Sequence, residues 1–134
     1  MNKKVFILDS YALLAYFQAE QGGLVVRDIL KKARSGETSA LLSVINLGEI
    51  YYTISRKLGR ETARAVIEDI SALPVDLIDA GKDRALAAAE VKAENPLSYA
   101  DAYAVAAALE FDATVVTGDP EFKTVESHAS VLWV

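Results

Sequence analysis

Cysteine is absent from the 134 residues, and histidine occurs once, at His128. Without cysteine there are no disulfides, no thiolate nucleophile, and no cysteine-ligated zinc or iron–sulfur site. The same absence suits a reducing cytoplasm. His128 lies in a polar segment with no serine motif or orienting acid nearby, so a Ser–His–Asp arrangement has little support. Long hydrophobic runs are missing too: Val5-Phe6-Ile7-Leu8 stops at Asp9, too short for a signal peptide or a membrane span. A cytoplasmic protein without membrane contact is expected. Positive charge is scarce, with 14 Lys and Arg against 19 Asp and Glu and a net charge of −5. That argues against broad coating of nucleic acid, whose affinity comes from basic surface, but not against an enzyme with one basic patch beside an acidic centre.

What is present is a globular composition, 52% hydrophobic and 25% charged. The length predicts one domain, residues 1–134, burying roughly two-thirds of its unfolded surface. Val5 to Leu8 reads as a buried strand because it lacks the alternation of a half-exposed one. Further short apolar runs at Ser39–Leu42, Val75–Ile78, Ala113–Val116 and Val131–Val134 read as strands. Between them lie helical stretches: Ser10–Phe17, Leu24–Arg34, Ser43–Leu58 stopped by Gly59, Glu61–Ala72 ending before Pro74, Ala80–Ala93 and Ser98–Leu109. Gly118-Asp119-Pro120 reads as a turn. Strands alternating with helices predict an α/β fold, a mostly parallel sheet of four to five strands with helices on both faces.

Four carboxylates fall at informative places. Asp9 closes the first strand, Glu49 sits in a mostly apolar helix, Asp101 begins an alanine-rich helix, and Asp119 follows the run Ala113–Val116. Three have structural readings: Asp9 as a helix cap, Asp101 with Ser98 as a capping box, and Asp119 as a turn residue. Glu49 is harder to place, since Ile45 and Tyr52 flank it on one helix face. A glutamate there needs a charged partner, with Arg27 or Arg64 as structural candidates. Together the four carry more weight. Strand ends and helix starts share one crevice in a doubly wound sheet. Two unit charges about 4 Å apart repel by roughly 4 kcal/mol at an effective dielectric near 20. Such a cluster needs protons or a metal, and all-oxygen ligation suits Mg²⁺ or Mn²⁺ rather than zinc or copper.

With these residues in view, the chain resembles PIN-domain proteins, most of all the VapC-type toxins of toxin–antitoxin pairs. The matching pieces are Val5-Phe6-Ile7-Leu8-Asp9-Ser10, Ser43 to Glu49, Leu97 to Tyr103 with Asp101, and Val116-Thr117-Gly118-Asp119-Pro120-Glu121-Phe122. Their ordered set spans essentially the whole chain. The resemblance implies a PIN-like three-layer sandwich and a metal-dependent endoribonuclease acting on RNA phosphodiester bonds. Asp9, Glu49, Asp101 and Asp119 are then catalytic. Asp9 and Asp101 are the central ligands of Mg²⁺ or Mn²⁺, Glu49 and Asp119 bind directly or through water, and Ser10 and Thr117 support them. It also implies a homodimer and a separately encoded antitoxin. Many relatives carry a larger polar or basic residue in place of Gly118, so a substrate contact is missing here.

For the substrate phosphate, Arg56, Lys57, Arg60 and Arg64 gather at the end of the Glu49 helix and the start of the next, the first three being the candidate contacts. Tyr51, Tyr52, Ile54 and Leu58 exceed what one helix normally buries and suit self-association. The alternative function is a non-catalytic PIN-like module whose acidic cleft binds a partner protein or metal. A phosphoryl-transfer receiver domain fits less well, because Asp9 is followed by Ser-Tyr-Ala and no strand-end lysine follows Val116.

Overall fold

A computed structural model of the chain describes residues 3–134. Five strands, β1 (Lys4–Leu8), β2 (Thr38–Ser43), β3 (Asp76–Ile78), β4 (Thr114–Thr117) and β5 (Val131–Trp133), form one sheet in the order β3-β2-β1-β4-β5. Every pairing is parallel, so the expected mostly parallel sheet is wholly so. The helices are α1 (Ser10–Phe17), α2 (Gly23–Arg34), α3 (Val44–Leu58), α4 (Arg60–Ser71), α5 (Lys82–Glu94) and α6 (Tyr99–Glu110). A 3-10 helix at Pro120–Val125 replaces the simple turn expected there, because Pro120 presets the first helical position and the Asp119 side chain caps it. No described helix is long and apolar enough to cross a membrane.

Strand side chains alternate between two cores. Ile7 and Val115 face one, with Ala88 of α5, the alanines of α6 and Phe122 of the 3-10 helix. Leu8 and Val116 face the other, with residues of α1, α2, α3 and α4. Helices therefore cover both faces. α6 buries Ala102, Ala104, Ala106, Ala107 and Ala108, small side chains that let it sit close among its neighbours. Gly59 ends α3 at φ +95°, a left-handed conformation that favours glycine.

The central strand β1 has β2 on one side and β4 on the other, with Leu8 in register with Val116. The chain leaves β1 for one half of the sheet and fills the other half later. That reversal makes the carboxyl ends of β1 and β4 the crevice where this fold class places its ligands. Asp9 immediately follows β1, and Thr117 closes β4.

Candidate metal centre

Asp9 caps α1: its Oδ1 accepts the Ala12 N–H at 2.8 Å, and its backbone is extended. The capping reading is correct and incomplete, because the same carboxyl lines a cleft. Asp9, Ser10, Glu49, Asp101 and Asp119 all open onto one space of about 330 Å³, joined by Tyr11, Leu14, Thr53, Ser98 and Glu121. All four sequence-predicted acids thus reach one cleft. No lysine, arginine or histidine lines it among the described residues.

Glu49 does not find an arginine. Its Oε1 accepts a hydrogen bond from the Ser10 hydroxyl, tying α3 to the start of α1. Neither Arg27 nor Arg64 forms an ion pair among the described residues. Buried Asn46, one turn before Glu49, donates to the Ala100 carbonyl at 3.3 Å and holds α3 against the start of α6. Its Oδ1 is buried without a partner.

Ser98 accepts the Asp101 N–H at 3.1 Å, half of a capping box. The reciprocal half is not made by Asp101. Glu121 supplies it from the 3-10 helix, accepting the Ser98 N–H at 3.2 Å. Carboxyl oxygens of Asp101, Asp119 and Glu121 lie within 4.8 Å of one another. Glu121 is the site residue that the sequence reading missed. Its signal was an acid two positions after Asp119 in the first turn behind a proline.

Thr117 is fully buried and its hydroxyl accepts the Asp119 N–H at 3.0 Å, while Asp119 Oδ1 accepts the Glu121 N–H at 2.9 Å. His128 is exposed and pairs with Ser127, away from the acids. Arg56, Lys57 and Arg60 are exposed and lie outside the cleft lining. Arg56 and Lys57 follow Thr53, a cleft residue, by one turn of α3. Of the four residues suited to self-association, Ile54 fills the core and Tyr51 is half-buried, whereas Tyr52 and Leu58 are exposed.

Burial pushes the Asp9 carboxyl up to about 7, and Asp119 and Glu49 raise it further, while the Thr117 side chain and the Ala12 N–H pull the other way. Burial also raises Asp101, to about 8, reinforced by the Glu121 side chain and by the charges of Asp119 and Asp9, against a hydrogen bond from Ser98. Both groups therefore resist ionisation near neutral pH in the protein alone. The donor set is entirely oxygen, compact on the Asp101–Asp119–Glu121 side and short of positive charge. Such a set fits a hard divalent cation, Mg²⁺ or Mn²⁺.

A family model for the PIN domain matches residues 6–127, most of the chain. No curated protein is significantly similar in sequence. Among solved structures, the VapBC2 complex of Rickettsia felis bound to a promoter DNA fragment superposes with a TM-score of 0.75 at 17% identity, covering 97% of this chain and 98% of that one. The DNA-bound VapBC of Salmonella typhimurium gives 0.74 at 19%, covering 98% of each chain. VapC20 of Mycobacterium tuberculosis, a toxin that cleaves the sarcin–ricin loop, gives 0.71 at 17%, covering 96% of this chain and 99% of that one. At these identities the likeness is one of fold, and it agrees with the parallel sheet and its helical layers. With the family model spanning β1 to the 3-10 helix, the chain belongs to the PIN domain family.

Proposed function

We propose that the protein is a divalent-metal-dependent endoribonuclease and the toxin of a type II toxin–antitoxin pair. One observation carries the reading: buried Asp9 and Asp101 share a cleft with Glu49, Asp119 and Glu121, and no lysine, arginine or histidine among the described residues lines it to neutralise them. Asp9 and Asp101 are the central ligands of Mg²⁺ or Mn²⁺, with Glu49 and Asp119 binding directly or through water and Glu121 completing the Asp119 side. When bound, such an ion lowers the pKa of a water molecule and offsets charge building on the scissile phosphate.

The chain's own residues orient the acids in advance. Ser10 holds Glu49, the Ala12 N–H holds Asp9, and Thr117 fixes the loop that carries Asp119. Such supporting contacts are where much of a metal site's affinity resides. Arg56, Lys57 and Arg60 attract the RNA backbone beside the cleft. Exposed Tyr52 and Leu58 provide apolar surface for a second copy of the chain. The fold shared with VapBC complexes supports an antitoxin partner that covers the cleft.

The test is RNA cleavage with Mg²⁺ or Mn²⁺ and with chelator. Wild-type protein should cut only with metal, and Asp9→Asn or Asp101→Asn should slow cutting by at least about 100-fold while keeping the fold. A wild-type protein inert with both metals, or Asn variants as active as their parent, would overturn the assignment. A competing reading, the non-catalytic acidic module, draws on the capping bonds of Asp9 and Asp119. It predicts metal binding without cleavage.

A further inference from the structure

The glycine at position 118 leads to a substrate contact elsewhere. A Cβ built on Gly118 would lie 2.2 Å from Tyr11 Cε1, 2.6 Å from Tyr11 Cζ and 2.8 Å from the Val134 backbone oxygen. No side chain fits there while the Tyr11 ring stays where it is. The space that a larger residue would fill is occupied by an aromatic ring from α1, two positions after Asp9 in sequence.

That ring is not simply core. Tyr11 is 42% exposed and lines the acidic cleft together with Asp9, Glu49, Asp101 and Asp119. It also lines a second cleft of about 420 Å³, beside Gln21, Val25 and Trp133. The ring therefore borders two openings, the acidic cleft and the one beside Trp133. Two other exposed tyrosines are engaged within the chain. Tyr52 lies under the Arg56 guanidinium at 5.0 Å, and the Tyr99 hydroxyl donates to the Ala85 carbonyl at 3.0 Å. Tyr11 has neither kind of partner among the described residues.

An attractive contact beside these acids has a restricted chemistry. No lysine or arginine lines the cleft among the described residues, so the acids keep their negative balance and a contact here falls to an uncharged group. A neutral aromatic face attracts a nucleobase without disturbing that balance, and every base has a face to offer. We propose that Tyr11, seated against Gly118, is the platform on which a base of single-stranded RNA stacks next to the scissile phosphate. The inference rests on the ribonuclease reading and adds to it the residue that grips the substrate's base.

The experiment compares Tyr11→Phe, Tyr11→Trp and Tyr11→Leu, the last keeping apolar bulk without a ring. Binding of a fluorescein-labelled single-stranded oligoribonucleotide is measured by anisotropy with Ca²⁺ in place of Mn²⁺, so that every acid of the cleft stays in place, and KM and kcat are measured with Mn²⁺. Tyr11→Leu should weaken binding and raise KM about tenfold, the scale of lost base–aromatic stacking, with kcat changed less than about twofold. Phe and Trp should bind like the parent. The slope of log affinity against log salt should not change, because no phosphate contact is lost. Gly118→Ala should weaken binding too, but because its Cβ also meets the Val134 carbonyl its effect should shrink only in part when combined with Tyr11→Leu.

Unchanged binding by Tyr11→Leu, or an equal loss in Tyr11→Phe, would overturn the platform. Cleavage with an unaltered KM in Tyr11→Leu removes the platform and leaves the ribonuclease reading intact. Ring-dependent binding by a wild-type protein that cuts no RNA does the reverse. Failure of the parent protein to bind the strand at all removes both.

Discussion

Acidic side chains crowd together in two regions of this molecule, and the chain treats them in opposite ways. At one, Arg84 sits between Asp79 and Glu110, with ion-pair distances of 2.7 and 3.0 Å, and its guanidinium lies 5.7 Å from the centre of the Phe111 ring. The two acids raise the Arg84 pKa, so the positive charge is held where it is needed. At the other, five acids line one cleft and no basic residue joins them among the described residues. There, burial and mutual repulsion push Asp9 and Asp101 up to about 7 and about 8. A fold that can place an arginine between acids, and does so at α5, leaves its most buried acids without one. A divalent ion, as proposed, would supply the charge that no described residue brings.

The sharpest way to break this contrast is to give the cleft a cation of its own. Thr53 lines the cleft one turn after Glu49, so Thr53→Lys would bring an ammonium group among the acids. Metal-dependent cleavage should fall by at least about 100-fold, because the lysine occupies the electrostatic role of the ion. The metal-free protein should meanwhile melt at a higher temperature than its parent. Cleavage assays and thermal melts on one preparation check both halves. Retained activity would show that the cleft does not depend on a shortage of positive charge.

The second effect is on pH. Folded Asp9 and Asp101 keep their protons to about 7 and about 8, whereas an unperturbed aspartate releases its proton near 3.8. Between those values the folded state binds more protons than the unfolded state, so stability falls as pH rises. This contribution is fully present below the ordinary carboxylate range and disappears as pH climbs through 7 and 8. Melting of the metal-free protein at about pH 5 and about pH 8.5 should show the decline, and Asp9→Asn with Asp101→Asn should flatten it. Saturating Mn²⁺ should shrink the decline or reverse it, because the ion binds deprotonated carboxylates. A metal-free protein that gains stability over the same interval would contradict the burial-driven shifts.

The parts of this site that were legible in sequence are those whose signals are local. Asp9 ends an apolar run and caps the helix that follows, and Asp101 sits three residues after a capping serine. Glu49 stands out because a charged group on an apolar face needs a partner. The nature of that partner was not legible, since Ser10 is 39 residues away in sequence. Glu121 was hidden because Gly118-Asp119-Pro120 reads as a turn. Its contact with the Ser98 N–H spans 23 residues, and only the packing of the 3-10 helix against α6 brings it into the site. The pairing of Tyr11 with Gly118 is still less visible. A glycine announces a missing side chain and not the ring that needs the space. The layered sheet was easier, because its cores follow from strand periodicity and from helix stops such as Gly59.

The basic residues at the end of α3 and the start of α4 sharpen the comparison from outside the cleft. Arg56 and Arg60 are exposed and form no ion pair among the described residues, unlike Arg84. If they meet RNA phosphates, Arg56→Ala with Arg60→Ala should weaken binding and make the salt dependence shallower by about 1.4 in log–log slope, two contacts' worth for a single strand. An unchanged slope across a salt titration would leave them as solvated surface.

The smallest effect falls on the acids that the chain neutralises itself. Arg84→Ala removes the one charge that Asp79 and Glu110 share, but both acids are exposed enough to regain water. The loss should be about 1 kcal/mol or less, a fall of about 4 °C or less in melting temperature, with cleavage unaffected. Above about pH 8, where Asp101 is ionised, Asp101→Asn also removes one charge, yet the metal-free protein should melt no lower than wild type, because that charge is buried among others of its own sign. Measured side by side without metal, the two substitutions separate a cluster that the chain neutralises itself from one that it leaves for an ion. Equal destabilisation by both would mean that Asp101 is held by the fold as Asp79 is, and the cleft would then be a structural feature rather than a cation site.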